Sequence, residues 1–300
     1  MKKKTYLFAL MAMALTLGSC SDNENGIGGE TSKYITVSTS IGNMTRVATD
    51  ANGGQTFEEG DEISVYAWTG APTVAPETSE RVVNNAINKL TNGAWVATPQ
   101  MLWKNNREKH YFIGVYPTAA ISDLSAGEYT FDANKQTESD LLVAVNPDGL
   151  SYSADAQQTV PLTFTHVMAK LAVNLTYKNQ WGGIPTVEKV VVGNAAKEAT
   201  INYLTKVVTP STTAKEDFSL PEITENTKYV SVIIPQEDVT QLTIVIGGKN
   251  FVYDNGTPFK LESGKITTVN LEVGRDEIKL GDVKITNWED GSTFSGEALN

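Results

Sequence analysis

The strongest constraint on this chain is a local one. Short runs alternate apolar and polar residues with a period of two, and residues that favour tight turns punctuate them. Glu62–Thr69 places Ile63, Val65 and Ala67 on one face, with Tyr66 and Trp68 on the other. The same alternation recurs at Tyr34–Ile41, Tyr229–Ile234, Gln241–Ile246, Ile266–Val273 and Asp282–Trp288. Lys109–Tyr116 is an aromatic strand-like run ending at Pro117, Asp140–Val145 a short apolar one, and Leu162–Tyr177 holds two strand-like pieces, the second with Leu171, Val173 and Leu175 in phase. Period two is the signature of strands with distinct faces. Asn52-Gly53-Gly54, Pro147-Asp148-Gly149, Gly247-Gly248, Asp254-Asn255-Gly256 and Asp290-Gly291 read as turns between runs, because Gly and Asn supply the positive φ that tight hairpins need. No segment sustains a helical period. Arg81–Leu90 alone admits a short helix, and its Val82-Val83 suits a strand equally well. The chain is therefore expected to be all-β, built as sandwiches.

The N-terminus has a different character. Lys2, Lys3 and Lys4 precede an apolar run from Tyr6 to Leu17, too short to span a bilayer but suited to an export signal. Leu17-Gly18-Ser19-Cys20 follows, and small residues before a cysteine at this point look like a lipobox. Cys20, the single cysteine, is expected to be acylated after removal of residues 1–19. Several acyl chains anchor stably, at about 0.8 kcal/mol per buried CH₂. Residues 20–33, rich in Gly, Asp, Asn and Glu, read as a flexible tether. A polar stretch near Gly149–Gln158 marks a boundary. The expected organisation is an N-terminal sandwich over 34–155 and a C-terminal one over 156–300.

Charge and side-chain inventory narrow the function. A formal net charge of −11 disfavours nucleic acid, which is bound by basic patches that release counterions. One cysteine and two histidines are too few for zinc sites or a disulfide framework. No nucleophile elbow, phosphate loop or His-Glu-x-x-His motif is present. His166 follows Leu162 and Phe164 in phase, and His110 sits among Tyr111 and Phe112, so both read as structural. Glu58, Glu59, Asp61 and Glu62 admit a glycosidase pair or a Ca²⁺ site, but a turn entering a strand explains them as well. The five tryptophans, Trp68, Trp95, Trp103, Trp181 and Trp288, suit packing more readily than a sugar platform. The chain is expected to be no enzyme and to carry no metal or organic cofactor.

Several short motifs then fall in order. Cys20 is followed by Thr45-Arg46, then by Phe57-Glu58-Glu59-Gly60-Asp61-Glu62-Ile63-Ser64-Val65. Tyr116-Pro117, Asp140-Leu141-Leu142-Val143-Ala144 and Val160-Pro161-Leu162-Thr163-Phe164-Thr165-His166 come next, and Ile285-Thr286-Asn287-Trp288-Glu289-Asp290-Gly291 closes the series. Together they resemble the fimbrillin family, lipoprotein precursors of type V pili of Gram-negative anaerobes. The resemblance implies two transthyretin-like β-sandwich domains in tandem. It implies a surface lipoprotein of the outer membrane, passing to the fimbrium after processing. It also implies cleavage by an arginine-specific protease, here at Arg46–Val47, and polymerisation with other pilus subunits by strand exchange. Val283–Ile285 or the tail beyond Trp288 would be the donor. The alternative is a surface-anchored adhesin that never polymerises and binds a host glycan or protein.

Overall fold

The computed structural model describes residues 33–42, 56–153 and 158–288. Nineteen strands lie within them. The first eight are β1 (Thr36–Ile41), β2 (Glu62–Thr69), β3 (Val83–Thr91), β4 (Ala94–Thr98), β5 (His110–Tyr116), β6 (Gly127–Thr130), β7 (Leu142–Leu150) and β8 (Thr159–His166). There follow β9 (Ala169–Tyr177), β10 (Val187–Ala196), β11 (Glu198–Asn202), β12 (Val207–Pro210), β13 (Lys215–Ser219) and β14 (Glu222–Thr224). The last are β15 (Lys228–Ile233), β16 (Gln236–Ile246), β17 (Lys249–Leu261), β18 (Lys265–Val273) and β19 (Ile278–Asn287). The described helical residues form two 3-10 turns, Thr78–Glu80 and Asn179–Trp181. Among the described residues no helix is long and apolar enough to cross a membrane.

The chain is all-β. Seven strands form one sheet in the order β1-β8-β7-β5-β2-β3-β4. A five-stranded sheet, β14-β15-β9-β18-β19, a four-stranded sheet, β13-β10-β16-β17, and a three-stranded sheet, β12-β11-β6, complete the fold. The two-faced pattern of β2 has a direct meaning. Ile63, Val65 and Ala67 enter one buried cluster with Ile35, Val37, Phe112, Leu162 and Phe164. Tyr66 and Trp68 enter a second with Ile113, Val115, Val143, Leu171, Val190 and Ile244. A strand buried on both sides is central, and β2 lies between β5 and β3.

The first cluster is enclosed because the sheet curls. Its edges approach where the Trp95 indole on β4 donates to Thr39 on β1. Just beyond β4, Tyr34 and Leu102 form an antiparallel bridge. The 155/156 boundary expected from the sequence falls within residues 154–157, which lie outside the described ones. Sheet membership changes between β8 and β9. β6 and β11, from either side of that boundary, pair with each other.

Two expected turns lie inside strands instead. Pro147-Asp148-Gly149 belongs to β7, where the register with β5 slips between His110 and Phe112. Gly149 takes φ +64 there and donates its N–H to Asn146. Asp254-Asn255-Gly256 belongs to β17, where the register slips opposite Thr240. Positive-φ residues serve bulges as well as hairpins, and both continue the ladder on the far side. Arg81–Leu90, which admitted either reading, is mostly strand β3.

Candidate functional site

β1 is an edge strand that carries core side chains. It pairs in parallel with β8, Thr36 opposite Thr159 through Ile41 opposite Phe164. Its inward positions alternate Ile35, Val37, Thr39 and Ile41. Ile35 and Val37 are 1% and 6% exposed. On the outer side Thr36 and Thr159 share a hydroxyl hydrogen bond of 3.2 Å, and Ser40 donates to Thr163 at 3.2 Å. At one end the Ile35 amide donates to the Met101 carbonyl (3.0 Å) and Trp103 to Lys33 (3.2 Å). At the other the Gly42 amide donates to the Phe164 carbonyl at 2.7 Å.

The surroundings of the inward face of β1, the groove that holds it, are aromatic on one side. Phe57 meets Trp95, Tyr116 and Phe164 edge-on, at ring separations of 5.3, 5.3 and 5.1 Å. Phe57 is held by the turn that follows it. Asp61 accepts the Glu58 amide at 2.7 Å, and Gly60 takes φ +98. Gly60 donates to the Leu90 carbonyl, and Leu90 returns a bond to Asp61. Three of the four carboxylates, those of Glu59, Asp61 and Glu62, are engaged in this turn and its surroundings. Glu59 receives the Asn92 amide at 2.5 Å, and Glu62 meets Lys89 at 3.0 Å on the surface. Tyr116 donates to Asp61 at 3.3 Å; burial first, and then the Asp61 charge, push its phenol up to about 12.

A second cluster gathers three separated motifs. The His166 Nδ1 lies 2.7 Å from Asp140 Oδ1. Its ring stacks on Trp288, and Lys170 Nζ lies 4.2 Å from the centre of the same indole. Burial lowers the Lys170 ammonium against the raising effect of Asp140. His110 is buried too. Its Nε2 accepts the Lys104 amide at 3.0 Å, its ring meets Trp103 edge-on, and burial lowers its pKa. Both histidines therefore sit in packed surroundings.

Trp68, Trp103 and Trp288 are buried, and Trp95 and Trp181 half-buried, so no row of open indole faces is formed. Among the described residues no group of three His, Cys, Asp or Glu is placed to hold a metal ion. Cys20, Arg46 and Val47 lie outside the described residues. Sequence reasoning missed the inward-facing Thr39 and its indole partner. A hydroxyl residue at an inward position of an otherwise aliphatic face was the available signal.

The motifs from Phe57 to Trp288 thus occupy defined places in one β-structure, and the sequence profile described as fimbrillin-like matches residues 45–288. The chain belongs to the fimbrillin-like family. This fimbrillin-like chain shares its fold with a candidate cell adhesion protein of Bacteroides uniformis. The TM-score is 0.60 at 19% identity, covering 78% of this chain and 93% of that one. A second candidate cell adhesion protein, from Bacteroides ovatus, gives 0.62 at 18% identity over 85% and 98%. A fimbrial protein of Bacteroides vulgatus gives 0.54 at 12% identity over 86% and 100%. No curated protein matches the chain.

Proposed function

We propose that this chain is a structural or accessory subunit of a cell-surface type V pilus, supporting adhesion. In this reading it is exported as an outer-membrane lipoprotein through Cys20. Cleavage at Arg46–Val47 by an arginine-specific protease then triggers donor-strand exchange. Family membership supports the pilus or adhesion role. The observation that carries the mechanism is β1. It is paired to a neighbouring strand on one side, and it buries Ile35 and Val37 in the core. It ends at Ile41, just before the segment that contains Arg46.

Cutting after Arg46 would free the tether and β1 together. The exposed groove would lose about 1.5–3 kcal/mol of burial for each large aliphatic chain withdrawn. Unpaired β8 backbone is a template for an added strand. The partners are then other pilus subunits, the protease, and outer-membrane lipid held by acylated Cys20. Two transthyretin-like sandwiches in tandem, over 34–155 and 156–300, remain the proposed organisation; β8, beyond that boundary, pairs with β1 and β7, so one sheet reaches across it. The test is Arg46→Ala with N-terminal sequencing of surface material. The mature wild-type chain is expected to begin at Val47, and the variant to stay unpolymerised. Filaments assembled from the variant would reject the mechanism.

The cell-adhesion description carried by two structural neighbours favours a second reading, an anchored adhesin for a host glycan or protein that does not polymerise. Microscopy of the purified, protease-treated protein separates the two. Ladders or filaments fit the subunit, and persistent monomers fit the adhesin.

A further inference from the structure

The inward face of β1 contains one residue that a purely apolar groove would not call for. Ile35, Val37 and Ile41 are aliphatic, but the third inward position is Thr39. Valine has nearly the same shape and would fill the same space. The difference is the hydroxyl, and that hydroxyl accepts the Trp95 indole N–H at 3.0 Å. The indole is not free to look elsewhere. Trp95 lies on β4, half-buried, with the Phe57 ring against it at 83°. Phe57 is in turn wedged between Tyr116 and Phe164. A donor fixed in this way, facing the groove, loses its partner when an apolar side chain occupies the third position. The site is half-buried, so an unmet donor there loses the bond and bears the cost of a stranded group to the extent that water is kept from it. Sites that reject partners by leaving a polar group unpaired discriminate better than apolar pockets do. The hydroxyl pairs Thr36–Thr159 and Ser40–Thr163 face solvent, where water replaces them.

We propose that Trp95 is the specificity-determining residue of the β1 groove: it selects extended segments that carry a hydroxyl or amide acceptor at the third inward-facing position, after two aliphatic ones. This inference rests on the reading of β1 as a removable strand and names what may replace it. The partner class is an extended segment of another subunit with the spacing aliphatic-x-aliphatic-x-Ser/Thr/Asn. A second copy of this chain offers that spacing at Val283, Ile285 and Asn287, on the edge strand β19. Val283 itself is 41% exposed there, whereas Trp288 just after β19 is buried and stacked on His166, so a donating β19 has to give up that stack.

The test starts with the full chain, uncleaved, and hydrogen exchange of the β1 amides. Thr39→Val is expected to raise β1 opening about tenfold, the equivalent of losing one hydrogen bond and stranding its donor. Thr39→Ser is expected to stay within about twofold of wild type, restoring the acceptor without the methyl group. In a Trp95→Phe background, which keeps a ring against Phe57, Thr39→Val is expected to have no further effect. The same full chain is then cut by an arginine-specific protease, and peptides with the sequence of residues 33–42 are added. The native and Thr39→Asn peptides are expected to bind about tenfold more tightly than Thr39→Val, but only to chains that retain Trp95. Equal opening of Thr39→Val and wild type, or a penalty that persists in Trp95→Phe, overturns the selectivity. A Trp95-dependent penalty in the uncleaved chain, with no peptide able to refill the cleaved one, supports the selectivity and overturns the removable-strand reading instead.

Discussion

The imidazole of His166 lies flat on the indole of Trp288, with ring centroids 4.1 Å apart and planes 8° from parallel. His166 ends β8, the strand that holds β1, and Trp288 directly follows β19. The stack therefore fastens the end of the last described strand to the sheet that receives the first. Asp140, 2.7 Å from the His166 ring nitrogen, holds the imidazole in that plane. The Trp288 amide donates to the Gly264 carbonyl at 3.0 Å and fixes the backbone beside it.

Trp288→Ala removes a side chain that is 7% exposed. Deleting a buried aromatic costs about 3–5 kcal/mol. Urea unfolding is expected to show a loss of this size. A loss below about 1 kcal/mol would mean that the indole packs loosely.

Val37→Ala should act locally. Val37 is buried in the enclosed cluster, and truncating such a chain costs about 1–3 kcal/mol. Because β1 is an edge strand, the expected readout is faster hydrogen exchange in β1 and in its β8 partner residues. Exchange in β9 and β18, which lie in another sheet, should change less. Uniform acceleration across all sheets would contradict an edge strand that opens by itself.

Tyr116 gives a pH dependence with a definite sign. Its phenol is raised from 10.0 to about 12 in the folded chain, so folding favours the protonated form. The stability this supplies is complete below about pH 10 and is lost as pH rises through about 12. Burial is the largest cause and Asp61 the next. Asp61→Asn should therefore lower the Tyr116 titration without returning it to the ordinary value. Ultraviolet titration of tyrosinate in Asp61→Asn and in a Tyr116→Phe control checks both points.

Cys20→Ala bears on export. The unprocessed precursor is expected to stay away from the outer membrane, because acyl chains supply the anchoring energy. Normal partitioning of that variant in a membrane fractionation would count against the lipoprotein assignment.

Much of the architecture was legible in single residues. Strands with clean alternation, such as β2, β9 and β18, were visible because the period-two pattern is local. Some strands that the sequence did not reveal lack that pattern, whereas β11 alternates but is only five residues long. β10 runs Val190-Val191-Val192 and then slips register before Ala195, which breaks its phase. β14 is three exposed residues, and β12 ends in Pro210. Turn chemistry misled at Pro147-Asp148-Gly149 and Asp254-Asn255-Gly256, because a positive φ has the same sequence signal in a bulge as in a hairpin.

The sequence by itself determined the all-β class, which residues point together within each strand, and the family, through motifs that occur in order. Tertiary structure decided which strands meet. Parallel pairing of β1 with β8 joins Thr36 to Thr159 across the whole first half of the chain, and no local pattern encodes such a partner. The same holds for the stack of His166 on Trp288 and for the bond from Trp95 to Thr39. Each residue type was plain to read, but a side chain acquires its role from the groups that long-range strand pairing sets against it.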